Sequence, residues 1–374
     1  MKRKTRLAEK FAVVHSNFSP KNIGGIESVA AAQVEVLRTM GIKTVSIYGD
    51  NNSAKTDFHE ENTEVNLRVI FRIAGLNFLE LGNLRFFKLC RKSRLVIFQE
   101  PFPTLWPAIF FLSWLTSTKI IVYIHATPDR SAIIKVMYQK LRAIVLSRCT
   151  VIATNPILAK EYKKFSAGSE VKNIPLSVID RFDQYNGEQA IETEDYFIYI
   201  GRLASYKGLN VLLDAAVTLP GINFKIVGSG PLLPTVASRI SSEALTNVSL
   251  TPHFVEEEEK LRLIKGSQGL ILPSLNQSEA FGIVQIEAMM LGTPVVNTRL
   301  GNGVNWVAPN LECALTVVPG DASELTDAIS RLRADPSLRQ LLGDAGRKRY
   351  LDLFSPEGFT NSWVSVINKA LGER

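Results

Sequence analysis

The chain has three cysteines and four histidines in 374 residues, and neither set is arranged for a metal. Cys90, Cys149 and Cys313 stand far apart and odd in number, which fits reduced thiols in a cytoplasmic protein and excludes a disulfide scaffold. No cluster has the spacing of a zinc finger. No apolar run approaches the roughly 20 residues of a membrane-spanning helix. Leu105 to Leu115 is the longest, and it contains Pro107. Behind the basic start, Met1 to Lys10, Phe11 to Val14 is too short for the apolar region of a secretory signal. There is no low-complexity segment and no repeat of solenoid period. The dinucleotide fingerprint Gly-x-Gly-x-x-Gly and the Gly-Lys-Ser phosphate loop are both missing.

What remains is ordinary globular composition: 46% hydrophobic, 21% charged, 24 Gly and 17 Pro. A single core rarely grows past about 250–300 residues, so two domains are expected. The net charge is +7. Part of the excess is local, in Arg68, Arg72, Arg85, Lys88, Arg91, Lys92 and Arg94. Such a patch suits an anionic partner or a solvated face. No nucleic-acid motif accompanies it, and no nucleic-acid partner is expected.

Short apolar runs alternate with amphipathic stretches. KFAVVHSN, from Lys10 to Asn17, reads as a buried strand. A glycine pair, Gly24-Gly25, precedes a helix over Glu27 to Met40, closed by Gly41, and TVSIY at Thr44 to Tyr48 is a second strand. Leu95–Phe98, Ile120–Ile124 and Thr150–Ala153 follow as strands, with a helix over Ser131–Leu146; residues 51–64 read as a polar loop. Residues 183–195 lack apolar periodicity and read as a linker. A second strand–helix series then opens with Tyr196–Ile200 and runs through NFKIV, GLIL and TPVVN. The pattern predicts an α/β protein with two doubly wound, Rossmann-like domains, whose ligands sit beyond the carboxyl ends of the strands, in a central cleft that the two domains face.

Four constellations carry chemistry. In Glu279-Ala280-Phe281-Gly282-Ile283-Val284-Gln285-Ile286-Glu287, a carboxylate stands before a helix and another within it. The amides of Gly282, Ile283 and Val284 then lead the helix, where an anion is favoured by direct hydrogen bonds and by the dipole. An acid serving only the dipole gives the same pattern. In Gly201-Arg202-Leu203-Ala204-Ser205-Tyr206-Lys207-Gly208, a guanidinium fork and an ammonium follow a strand, as a diphosphate site would need; a surface pair is the alternative. Gly24-Gly25 lets backbone amides line an anion site, or makes a plain tight turn. His125 ends a strand in YIHATPD, either as a sugar contact or as a hydrogen-bonded structural residue.

Together these segments (GGIE, IHATPD, IGRLASYKG, FKIVGSGPL and PSLNQSEAFGIVQIEAMMLGTPVV) resemble the retaining family-4 glycosyltransferases, glycosyl transferases group 1, of the GT-B fold. The likeness runs from Val14 to Phe354. It implies an acceptor-binding domain over 1–182, a nucleotide-sugar-binding domain over 183–355, and a helix over 356–374 that crosses back to the first. It implies that Arg202 and Lys207 bind the donor diphosphate and Glu287 the donor ribose. Glu279 would lie by the donor sugar and leaving group, and His125 would touch the sugar. Gly24, Gly25, Gly228, Phe281, Gly282, Ile283 and Val284 would complete the donor site. Neither metal nor cofactor is expected, since cations and the helix N-terminus neutralise the diphosphate.

The chain departs from the family at Ser229, where Asp is frequent, and at LGNGVNWV after the last strand. Its finer likeness is to bacterial mannosyl- and rhamnosyltransferases of O-antigen and other polysaccharide assembly, which implies GDP-mannose as donor and a lipid-linked acceptor. Asn83–Leu95 mixes Phe and Leu with Arg and Lys, and such a segment lies in a membrane interface or packs its apolar side in a core. The protein is therefore expected in the cytoplasm, with peripheral contact at the cytoplasmic face of the inner membrane.

Overall fold

The computed structural model describes residues 11–18, 25–50, 56–58, 62–73, 76–79, 82–126, 134–166, 171–186 and 191–372. The chain divides into two compact units. One comprises Met1–Pro175 and Phe359–Arg374, the other Leu176–Gly358.

In chain order the first unit carries β1 (Phe11–Phe18), α1 (Gly25–Thr39), β2 (Lys43–Asp50), β3 (Thr56–Phe58), β4 (Asn62–Ile73), β5 (Leu76–Leu79) and α2 (Gly82–Cys90). It continues with β6 (Leu95–Glu100), α3 (Trp106–Leu115), β7 (Lys119–Ile124), α4 (Ile134–Leu146), β8 (Thr150–Ala153), α5 (Pro156–Tyr162) and β9 (Val171–Asn173). The strands run in the order β3-β4-β2-β1-β6-β7-β8-β9, with β5 on β4. Every pair is parallel except β3 with β4 and β4 with β5. β6 and β7 are buried almost throughout, as a parallel sheet covered on both faces requires.

One expectation fails in this unit. Residues 51–64 are not one loop: Thr56–Phe58 and the start of β4 pair antiparallel. An edge hairpin gains its stability from ladder bonds, so it needs no apolar run for sequence to reveal. In Asn83–Leu95, the apolar side chains serve mainly the core. Phe86, Cys90 and Leu95 are buried, and Phe87 and Leu89 pack against the same cluster.

The second unit carries α6 (Phe182–Asn186), β10 (Tyr196–Ile200), α7 (Leu209–Thr218), β11 (Asn223–Val227), α8 (Leu233–Ser242), β12 (Val248–Thr251), α9 (Glu257–Lys265) and β13 (Leu270–Leu272). Then follow α10 (Ile283–Met290), β14 (Val295–Thr298), α11 (Gly303–Val307), β15 (Ala314–Val317), α12 (Ala322–Ala334) and α13 (Pro336–Leu353), and α14 (Pro356–Leu371) begins here and passes to the first unit at Phe359. Its sheet is wholly parallel, in the order β12-β11-β10-β13-β14-β15. The order reverses between β10 and β13, the switch point at which such sheets place ligands.

The division falls at 175/176, not at the linker expected over 183–195. Val178 is the reason: its N–H donates to Phe354 O, and its carbonyl accepts from Tyr350 Oη at 2.8 Å. Within the linker segment, Tyr185 is buried and its hydroxyl donates to Glu258 O. From Phe359 onward α14 belongs to the first unit, where Trp363 is fully buried and meets Tyr123 edge-on at 5.1 Å.

Candidate functional site

In the second unit the loops after β10, β11 and β13 come together. β10 delivers Gly201 and Arg202, and a turn of 3-10 helix over Ser205–Lys207 precedes α7. β11 delivers Gly228, and a Cβ there would stand 2.0 Å from Gly201 O. Only glycine permits that approach of the two loops, so Gly228 holds the first loop in place. Arg202 is exposed, and its carbonyl accepts from Tyr199 Oη at 2.9 Å.

β13 leads through Pro273 and Ser274 to Glu279. This carboxylate is buried, and its Oε2 is engaged twice. Lys207 Nζ stands 2.5 Å from its Oε2, and Ser274 Oγ donates to the same oxygen at 3.0 Å. Ser274 is itself fixed by Thr298 Oγ1, which donates to its carbonyl. The Glu279 carbonyl accepts from Asn302 Nδ2 at 2.7 Å. Lys207 also lies 5.4 Å from the Tyr206 ring centroid. Burial, first of all, raises the Tyr206 phenol above its ordinary value, against the pull of Lys207.

Gly282 caps α10 at φ 72°, a left-handed conformation that a side chain disfavours. A Cβ there would also press Gln285 Nε2 and Leu272 Cδ2 at 2.8 Å. The amides of Gly282, Ile283 and Val284 therefore lead the helix, as the sequence predicts. Behind them Phe281 is buried against Trp306 and Phe354, with centroids at 6.1 and 6.4 Å. It acts as a wedge that sets the start of α10. Gln285 and Asn297 bond to one another at 2.8 Å, and Gln285 Nε2 returns to Phe281 O.

Glu287 lies one turn into α10, nearly buried, with Lys260 Nζ at 2.7 Å from its Oε1. Sequence reading missed Lys260. It follows the acid run that opens α9, and the helix dipole explains that run well enough to hide it. Ser274 and Asn302 were missed likewise, because their role is to hold Glu279 and appears only in three dimensions.

In the first unit, Gly25 opens α1, while Gly24 and Thr127 to Asp129 lie outside the described residues. His125 follows β7, buried, with Nε2 at 2.8 Å from Gln99 Oε1; Gln99 Nε2 donates in turn to Gln33 Oε1 at 2.7 Å. Burial lowers the His125 pKa to about 3, so the ring is neutral near pH 7. With the amide oriented this way, Nε2 carries the hydrogen and Nδ1 is left as an acceptor, suited to a hydroxyl. Gln99 and Glu100 close a strand that is otherwise apolar, and polar residues there are the signal that would have found Gln99.

The chemistry on offer is anion binding beside paired carboxylates. Arg202, Lys207 and the α10 N-terminus supply positive potential, and Glu279 and Glu287 supply acceptors for hydroxyls.

Residues 180–349 match the family model of glycosyl transferases group 1. The chain is 24% identical over 370 residues to the O-antigen chain mannosyltransferase C of Escherichia coli, covering 96% of this chain and 98% of that protein. It is 24% identical over 359 residues to the D-rhamnosyltransferase WbpZ of Pseudomonas aeruginosa, covering 91% of each. The structure of sucrose-phosphate synthase from Thermosynechococcus elongatus shares the fold, with a TM-score of 0.75 at 19% identity over 97% of this chain and 99% of that one. Residues 180–349 are thus a glycosyl transferases group 1 domain, and the protein is a glycosyltransferase of the GT-B fold.

Proposed function

We propose that the enzyme transfers a hexose, mannose first, from GDP-mannose to a growing lipid-linked polysaccharide such as a lipopolysaccharide O-antigen, with retention of anomeric configuration and without a metal. The observation that carries this reading is the Lys207–Glu279–Ser274 cluster set directly before the N-terminus of α10. The polysaccharide acceptor and the mannosyl donor are supported by the likeness to the O-antigen mannosyltransferase and the rhamnosyltransferase over more than nine-tenths of this chain.

In this reading the diphosphate sits on Arg202, Lys207 and the leading amides of α10. Glu287, steadied by Lys260, accepts from the ribose hydroxyls. Departure of the nucleoside diphosphate builds negative charge on its oxygens, and preorganised cations and amides stabilise it there. The acceptor hydroxyl attacks the oxocarbenium-like carbon from the face the leaving group has left, and its proton passes to a diphosphate oxygen. Glu279 is tied to Lys207 and Ser274, so its part is to hold the ammonium and the sugar rather than to form a covalent intermediate of the glycosidase kind.

Calorimetry with GDP, UDP and dTDP in EDTA tests the donor. Binding of GDP alone is expected. A preference for UDP or dTDP would remove the mannosyl assignment and keep the class, and absence of binding by all three would overturn the donor site. Nuclear magnetic resonance of the product's anomeric centre tests retention, and an inverted product would refute it.

A further inference from the structure

Three buried polar side chains form a chain across the first unit. Gln33 stands on α1, Gln99 near the end of β6, and His125 just after β7. Both glutamines are fully buried. Gln99 Nε2 donates to Gln33 Oε1 at 2.7 Å, and Gln99 Oε1 faces His125 Nε2 at 2.8 Å. Among the described residues, no other group bonds to this imidazole. Tyr123 lies against it at 4.6 Å between centroids, but the Tyr123 hydroxyl donates to Ile174 O. The His125 N–H donates to Glu100 O, which fixes the backbone and not the ring proton.

The chain has a direction. An amide that turns its N–H2 to Gln33 must offer its carbonyl to His125. A carbonyl only accepts, so Nε2 carries the ring hydrogen. Reversal requires both amides to turn and the ring proton to move together. Gln33 Nε2 is buried without a partner, and there the chain ends. Nδ1, at the other end, has no partner either, yet it is not sealed in the interior as Gln33 Nε2 is. One end is thus shut off and the other is open to a ligand. The next residue makes a contrast. Glu100 is equally buried, and its carboxylate accepts from Trp106 Nε1 and Phe102 N. Successive side chains of a strand alternate, so β6 turns its amide to His125 and its carboxylate away. A carboxylate beside the ring would draw a second proton onto it, and an amide does not. Burial acts in the same sense and lowers the His125 pKa to about 3.

We infer that Gln99 and Gln33 are positioning residues that make His125 Nδ1 an obligate acceptor, so that the sugar position it meets must carry a donor, a free hydroxyl. The choice of a sugar as ligand rests on the proposed function; the state of the ring does not.

Nitrogen-15 magnetic resonance of the full-length protein at pH 7 reads the ring, with His125→Gln identifying its signals among the four histidines. A neutral ring protonated at Nε2 is expected. Gln99→Glu should protonate both nitrogens. Gln33→Met, which does not touch the ring, should mix the two tautomers. A wild-type ring protonated at Nδ1 would overturn the inference, and so would ring signals unmoved by both substitutions. The hydroxyl is tested with GDP-mannose and its monofluorinated analogues, since fluorine accepts and cannot donate. At one position the wild-type enzyme should lose about tenfold or more in kcat/KM. Gln99→Glu should recover most of that loss at the same position alone. The inductive effect of fluorine is common to both enzymes and cancels in their ratio. Equal discrimination by both enzymes at every position would overturn the hydroxyl reading. Should calorimetry select another nucleotide, the same comparison runs on that donor, and the ring signals decide the positioning role in either case.

Discussion

Glu279 and Glu287 are both carboxylates with an ammonium beside them, and the two pairs should answer differently to truncation. In the proposed donor site Lys207 is a diphosphate cation, so Lys207→Ala is expected to lower turnover by about two orders of magnitude or more, as is Arg202→Ala. Steady-state kinetics would check this, and near-normal rates in both would break the assignment. Lys207→Ala also leaves a buried carboxylate with Ser274 alone, which costs about 3–5 kcal/mol. Arg202 is exposed, so Arg202→Ala should keep the wild-type melting temperature. Lys260 touches Glu287 rather than the reacting atoms. Lys260→Ala should raise KM for the donor several-fold with little change in kcat, and Lys260→Arg should restore much of it; equal losses in kcat and kcat/KM would place Lys260 elsewhere in the reaction. These residue types were legible in the sequence because they sit at fixed spacings around one helix start. Lys260, Ser274 and Asn302 were not, since nothing in the chain's order says which carboxylate each will meet.

At the scale of elements, the start of α10 and the buried histidines of β1 and of the end of β7 make separate demands. Gly282→Ala places a Cβ at a left-handed position, at about 1–2 kcal/mol, and against Gln285 and Leu272. It should lower the melting temperature and weaken nucleotide binding together, and unaltered affinity by calorimetry would remove the α10 N-terminus from the donor site. His15 within β1 stacks on Phe98 at 4.9 Å, and burial lowers its pKa to about 3, as it does for His125. In the unfolded chain both titrate near 6.5. Between about pH 3 and 6.5 the unfolded chain then binds more protons, so stability falls as the pH falls through that window and is fully present above it. Melting followed from pH 7.5 to 4.5 should show this slope, and His15→Phe should reduce it by about half, leaving the His125 share. A melting temperature independent of pH in that range would contradict it. The strands and helices bearing these residues were visible as apolar runs and 3.6-residue periods. The antiparallel hairpin of β3 and β4 was not, because an edge pair leaves no such period.

For the whole molecule, the last helix matters as much as the sheets. Trp363→Ala removes a fully buried ring from the first unit and should cost about 3–5 kcal/mol. Chemical denaturation should show the loss in the transition that reports this unit, and an unchanged midpoint would mean that α14 is not part of its core. Periodicity, composition and the Glu279-to-Glu287 spacing determined by themselves that the chain is α/β, that it has two largely parallel sheets, and where the helix after Glu279 begins. These are local properties, written in side-chain period and in which residue types tolerate a helix start. Tertiary structure alone decided that Lys207 neutralises Glu279 and Lys260 neutralises Glu287, and that residues 176–182 pack with the second unit. It alone decided that Phe86 is core while Trp114 is surface. Each depends on contacts between residues tens to more than a hundred positions apart. Burial and Coulomb interaction act on distance in space, which the order of residues leaves open until the chain has folded.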